Sequence, residues 1–393
     1  MAVNPSGAWS AVWRREWARL RAAPLDLAMI SWVPLLLALL LLWTFSAGLA
    51  TRLPVAVLDQ DHSTVSRQLL RLLDAAPGLR LALPLADEGE ARAALHEGRV
   101  YGVVVIRDGL ARELKSGRAA TVTLLHNAQF STHSGLIQKD VRAAVGTLSA
   151  ALEILGREKR GQAPLAAAQG FEPLRVALAS QYNPAGNTQQ FLASALLPAL
   201  LHLLAMVAGA WTVGRELRDA SSPQWWDAAR GRAWPALLAK LAPAWLALCG
   251  VDLLAGLALH GLGLLPGAAA APLLALHAAL LALYLALGAA AALLSRSLRL
   301  ALSAAGFITA PAFAFSGIGF PLMAMPEGAR LWAEALPLTW LMRAQVALQQ
   351  QGAPAATALP LLGALLGGAL LLLALSAWRL PRVANDPASW GRR

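Results

Sequence analysis

The sequence predicts a mainly α-helical membrane protein: six transmembrane helices, with a polar α/β domain inserted between the first and the second. Three observations carry this. Hydrophobic residues make up 57% of the 393-residue chain and charged residues only 14%, where an ordinary soluble domain is about 25% charged. Several apolar runs reach the roughly 20 residues that a helix needs to cross a bilayer. Between the first two runs lies a long polar segment, 51–189, in which strand-like and helix-like patterns alternate.

Residues 8–23, "AWSAVWRREWARLRAA", set Trp9, Trp13 and Trp17 four apart with Leu20 following, and keep Arg14, Arg15, Arg19 and Arg21 mostly off that stripe. A Trp/Arg helix of this kind lies in the headgroup layer, so 1–25 is read as an interfacial amphipathic helix. The alternative is an ordinary soluble helix face. The run "LAMISWVPLLLALLLLWTFSAGLA" (27–50) carries no charge, and transmembrane helix 1 is assigned to 26–50. Its "SAGLA" end resembles a cleavage site, but the run is far longer than the about 7–15 residues of a signal-peptide core. A retained signal anchor is expected.

The segment 51–189 reads as an α/β module. "LPVAVLDQ" (53–60) alternates like a strand, and "STVSRQLLRLLDAAPG" (63–78) reads as a helix capped by Ser63 and stopped by Pro77-Gly78. "LRLALPL", "YGVVVIRDG" (101–109) and "ATVTLLHNA" (120–128) are further strands, with the helix "DEGEARAALHEG" after the first of them. A long helical stretch, about 133–180, returns the chain to the membrane. Strand–helix–strand alternation favours a small sheet with helices packed on it.

Transmembrane helices 2–6 are expected within 190–379, at about 190–213, 239–260, 271–294, 300–318 and 357–378, with a tail at 380–393. The segment 319–352 is too apolar for a plain loop, and Pro321, Pro326 and Pro337 break it into short helices. That suits a stretch that dips into the outer leaflet and returns, buried against other helices.

The net charge of +11 is unevenly placed. Residues 1–26, 214–240, 295–299 and 379–393 carry fifteen Lys/Arg against six Asp/Glu, while 51–189 carries sixteen against thirteen. Positive charge concentrates on the cytoplasmic side of a membrane. Alternating from an inside N-terminus puts every basic loop inside and 51–189 outside. No separate basic face remains for nucleic acid.

Chemical motifs are sparse. Cys249 is the only cysteine, no G-x-x-x-x-G-K-[ST] phosphate loop occurs, and the histidines show no metal-binding spacing. No cofactor, metal or catalytic residue is expected. Asp59-Gln60-Asp61-His62-Ser63 superficially resembles the DxDx[TV] loop of haloacid-dehalogenase phosphotransferases. The later lysine and second acidic pair of that chemistry are not found, so the stretch is read as a capped strand-to-helix turn. Apart from Asp26 at the very edge of the first, Asp252 is the one acid inside a predicted span. It is either a substrate, cation or proton contact on a pathway, or a hydrogen-bonded partner between helices; His202 and His277 are candidates for the partner. In the loop 214–240, Ser222-Pro223 opens a short helix holding Trp225 and Trp226 among charges. We read it as a docking surface, with a helix resting on lipid as the alternative.

Taken in order, "PVAVLDQDHSTVSRQLLRLLDAAPGL", "HNAQFST", "QYNPAGNTQQFLASALLPALL", "GRELRD…W" and "FPLMAMPEGARLWAEALPLTWLMRA" resemble the membrane subunits of type-2 ATP-binding-cassette exporters, in the bacterial branch with a large extracytoplasmic domain between the first two spans. The resemblance covers essentially the whole chain. It implies that loop 214–238 holds a coupling helix, about 222–233, that docks on a separate cytoplasmic ABC ATPase subunit. The residues implied in coupling are Glu216, Trp225, Trp226, Asp227 and Arg230. It also implies an inner-membrane permease with cytoplasmic termini and no ATPase activity of its own. A second permease subunit would complete the pathway, a periplasmic membrane-fusion adaptor would be a further partner, and hydrophobic or multidrug compounds would be the cargo. Two rival readings are a secondary transporter using Asp252, which calls for inverted repeats not seen here, and a receptor or scaffold with an exterior ligand-binding domain.

Overall fold

The computed structural model describes residues 5–163, 182–183 and 186–391. The chain divides into two units, Leu49–Ala179 on one side and Met1–Gly48 with Ser180–Arg393 on the other.

The first unit is built on a four-stranded sheet of β1 (Leu53–Asp59), β2 (Leu79–Pro84), β3 (Gly102–Ile106) and β4 (Val122–His126), in the order β2-β1-β3-β4. β1 runs parallel to β2 and β3, and β4 is antiparallel to β3. Parallel strands covered on both faces read as continuous apolar runs, which is why "GVVVI" is buried at every position. On one face Val55, Val57 and Val104 pack with Leu69 and Leu73 of α4 (Thr64–Asp74) and Ile137 of α7 (Ser131–Lys159). On the other, Ala56, Leu58 and Val103 pack with Ala91 and Ala94 of α5 (Glu88–His96). A one-turn α6 (Leu110–Lys115) follows β3. Gly78 lets α7 approach the start of β2: its N–H donates to Asp140 Oδ2 at 3.0 Å, where a Cβ would collide with the same carboxylate. The expected helical return is seen as α7 to Lys159; 164–181 lie outside the described residues.

The second unit begins with α1 (Pro5–Ala22), α2 (Pro24–Ile30) and α3 (Trp32–Thr44), the last two forming one span broken at Ser31. α1 turns Ala8, Val12, Glu16 and Leu20 inward. The tryptophans form a neighbouring ladder, Trp9 stacked on Trp13 at 6.4 Å and Trp13 edge-on to Trp17 at 6.0 Å. The bundle continues with α8 (Ser194–Arg218, opened by a π-turn at Gln189–Ala193), the short α9 (Ser222–Ala228), α10 (Ala233–Gly261), α11 (Gly267–Ser295), α12 (Leu298–Thr309), α13 (Glu327–Ala335), α14 (Pro337–Gln349) and α15 (Leu359–Ala384). α8 and α11 form the middle. A Cβ at Gly209 would meet the Leu285 carbonyl oxygen and one at Gly288 the Met206 carbonyl oxygen. In lipid, helices associate through such small-residue contacts, which let two backbones meet.

Five helices are long and apolar enough to cross a membrane, among the described residues. The segment expected as a further span, 300–318, is helical only over Leu298–Thr309. At 1.5 Å per residue those 12 residues cover about 18 Å, short of a hydrocarbon core of about 30 Å. The helix stops at Pro311, whose missing N–H cannot continue the ladder of i→i−4 bonds, although Ala310 before it is still helical at φ −61° and ψ −45°, and the chain then turns through Gly317 at φ +85°. In the segment 319–352, Pro326 caps α13 and Pro337 opens α14.

Candidate functional site

The last turn of α8 carries Glu216, which has no exposed surface. Arg15 of α1 holds it through two parallel bonds, Nη1 to Oε1 at 2.5 Å and Nη2 to Oε2 at 3.0 Å. Arg19 and Ser221 also donate to the carboxylate, and Lys240 of α10 donates from Nζ to Oε1 at 2.6 Å. Lys240 reaches Glu16 Oε2 as well, again at 2.6 Å. Asp26 of α2 pairs with Arg215 nearby. Burial works against charge on Arg15, but the hydrogen bond and the negative charge of Glu216 outweigh it and raise the guanidinium pKa. A buried ion cluster persists only when every member is bonded, so α1, α8 and α10 are fastened together at one end of the bundle.

The short helix α9 is mounted on this cluster. Pro223 occupies its first turn, where the missing N–H costs nothing. Trp225 is completely buried: its Nε1 donates to Ala236 O at 3.2 Å and its ring centroid lies 5.1 Å from Lys240 Nζ. Ser222 Oγ donates to Ala384 O of α15 at 3.4 Å. α9 is therefore anchored to two membrane helices by its inner face. Its outer face carries Gln224 and Asp227, with Trp226 half-buried and Arg230 exposed just beyond. Arg230 and Gly231 both have positive φ, at +54° and +68°, and reverse the chain into α10. Of the five residues implied in coupling, Glu216 and Trp225 are thus internal, and only Trp226, Asp227 and Arg230 reach a surface. Sequence reasoning treats the tryptophan pair as one surface feature; the fold separates them.

Asp252 of α10 is buried and meets His277 of α11, whose Nδ1 lies 2.9 Å from Oδ1 and 3.1 Å from Oδ2. The chain of polar groups runs on through His277 Nε2 to Gln345 Oε1 at 3.4 Å. Gln345 Nε2 then donates to Ser194 O at 2.8 Å. His202, the other candidate partner, instead packs edge-on against the Tyr284 ring at 4.8 Å. A cavity of about 20 Å³ beside Asp252 is too small for an organic substrate.

In the sheet unit, Asp59 Oδ1 accepts from the amides of Asp61 and His62, each at 3.1 Å, and Oδ2 accepts from Ser66 Oγ at 2.8 Å. Ser63 caps α4 by accepting from the Ser66 amide at 3.1 Å. Asp61 accepts from the amides of Gly109 at 3.0 Å and Ala111 at 3.2 Å. Burial would raise its pKa, but the bonds from Ser63 and from the amides of Ala111, Gly109 and Leu110 outweigh that and hold it below the ordinary aspartate value. Both carboxylates are engaged in closing turns. Among the described residues, no group of three or more His, Cys, Asp or Glu could hold a metal ion.

The family model for ABC-2 family transporter proteins matches residues 26–378. The chain belongs to the ABC-2 transporter family. Neither the search of curated proteins nor that of solved structures gives a match. This ABC-2 permease is a multi-pass membrane protein and the membrane component of an ABC transporter; the family implies partnership with an ABC ATPase subunit and usually a second permease.

What sequence reasoning misses in the permease is the ion cluster around Glu216. Arg15 and Lys240 stand 201 and 24 positions from it, so no local spacing links them. Two signals were present all the same. Glu16 falls on the inward stripe of α1 with Ala8, Val12 and Leu20, and Lys240 stands at the start of the span expected at about 239–260, inside a long apolar helix. A charge in such a place needs a partner of opposite sign.

Proposed function

We propose that this permease forms the translocation pathway of a bacterial inner-membrane exporter as one of two membrane subunits, and that a separate cytoplasmic ATPase drives it through α9. The exposed Gln224, Asp227 and Arg230 meet the ATPase, while Trp225 and Glu216 transmit the load. The single observation supporting this reading is the mounting of α9: a short helix with a charged outer face, fixed from within to a cluster that joins α1, α8 and α10. A displacement of α9 is then shared by two long membrane helices rather than absorbed in a loose loop. ATP drives transport only by stabilising one arrangement of the helices over the other.

In this reading both termini and α9 are cytoplasmic, and Leu298–Thr309 together with α13 and α14 completes a six-segment bundle. The sheet unit is extracytoplasmic, where it gates the exit or meets a periplasmic adaptor. The cargo is hydrophobic or amphipathic, consistent with a largely apolar bundle. Bilayer lipid is the other partner, and nucleic acid is not one.

The test is the paired change Asp227→Lys with Arg230→Glu in the full chain, co-expressed with its ATPase subunit. Both side chains are exposed, so membrane insertion and thermal stability are expected to stay unchanged while co-purification of the ATPase and ATP-driven export are lost. Retention of both would remove α9 from the coupling role.

A further inference from the structure

A cavity of about 550 Å³ with a mainly apolar lining lies between α1, α2–α3, α8 and α10, within the range of small-molecule sites. Leu25 and Met29 line it and are themselves exposed, so it opens on the apolar outside of the bundle. Its lining is graded. On α8 the lining residues run from Leu204 through Trp211 to Arg215, about 17 Å of helix. On the other walls Val33 and Ala244 stand at the apolar end, and Asp26 and Lys240 at the charged one. A slot that is apolar along its length and charged at one end fits an amphiphile lying along the helices.

The charged end also sets the sign of the head. Around it stand Arg15, Arg19, Arg215 and Lys240 against Glu16, Asp26 and Glu216, four cations to three carboxylates. Lys240 is fully engaged by Glu16 and Glu216. Arg215 Nε and Arg19 Nη2, by contrast, are buried without a hydrogen-bond partner; Asp26 Oδ2 makes no hydrogen bond but is ion-paired with Arg215. Guanidinium groups match phosphate geometry well, and leaving such donors unbonded is costly. We propose that this cavity binds an anionic phospholipid of the leaflet on the α9 side, its acyl chain along Met29, Val33, Leu204 and Trp211 and its phosphodiester on Arg215. The bound lipid supplies the negative charge that the cluster lacks, and so braces the mounting of α9. The site requires only that the bundle stand in a bilayer; it does not depend on the direction of transport or on the ATPase.

Native mass spectrometry of the purified full chain tests this with phosphatidylglycerol and phosphatidylcholine of identical acyl chains. Phosphatidylglycerol should be retained about tenfold more tightly, and Arg215→Gln should remove that preference. A second measurement keeps every charge in place. Phosphatidylglycerol brominated on its acyl chain should quench a component of the tryptophan emission that Trp211→Phe abolishes, and brominated phosphatidylcholine should not. Equal retention of the two lipids by the unmodified chain would overturn the proposal, as would quenching unaltered by Trp211→Phe.

Discussion

Lys240 and Glu216 meet at 2.6 Å with neither side chain exposed to solvent. A charge pair so placed is held by its surroundings, and Arg15, Arg19 and Glu16 supply them. Removing one member of a buried pair typically costs about 3–5 kcal/mol, because the remaining charge is left uncompensated. Glu216→Ala, which removes the carboxylate shared by Arg15, Arg19 and Lys240 and leaves Glu16 alone to pair with Arg19 and Lys240, should therefore lower the unfolding midpoint of the detergent-purified chain sharply. Glu216→Gln and Lys240→Met together should cost less than the sum of the two alone, with a coupling of about 0.5–3 kcal/mol. Simple additivity would show that the two residues do not act as one cluster.

Trp225 acts from inside. Truncation to alanine should cost about 3–5 kcal/mol and weaken the ATPase complex only by loosening α9. Trp225→Phe, which keeps most of the volume but loses the bond to Ala236 O, should retain most of the stability and most of the co-purification. A Trp225→Phe variant as stable as the unmodified chain but unable to hold the ATPase would instead place Trp225 in direct contact with it.

The Asp252–His277 contact ties α10 to α11 within the bundle. Asp252→Ala should destabilise by about 1–3 kcal/mol, leaving His277 Nδ1 without its acceptor. The double variant with His277→Ala should cost less than the two single changes added together. Export should survive in both. Loss of transport with stability intact would make the acid part of a cation or proton path instead.

Asp61 gives a pH dependence of defined sign. Its pKa is lowered in the folded sheet unit, so the stabilisation it provides is complete above the unfolded aspartate value of about 3.9. It declines as the pH falls below that value and is gone once the folded group is itself protonated. The loss of thermal stability between pH 5 and the acid limit should be smaller in Asp61→Asn than in the unmodified chain. An identical acid profile in the two would contradict the role assigned to those amide bonds.

The elements set by local pattern were legible in the sequence. β1, β3 and α4 appear where β-branched alternation, an apolar run and the Ser63 cap place them. The short α12 was not, because hydropathy continues through "PAFAFSGIGF" while Pro311 and Gly317 end the helix. Asp252 was singled out by charge alone, and the choice of His277 over His202 came only with the packing of α10 on α11. The burial of Trp225 beside the half-exposed Trp226 was equally out of reach. Adjacent residues on a helix point about 100° apart, and which one faces inward depends on where α15 and α10 sit.

The most direct test of the coupling claim is export of a hydrophobic dye from proteoliposomes holding the permease with and without its ATPase subunit. ATP should drive dye movement only when both are present, and Asp227→Lys with Arg230→Glu should abolish it while leaving the permease folded. ATP-driven movement by the permease alone, or movement undiminished by the paired change, would contradict the mechanism proposed here.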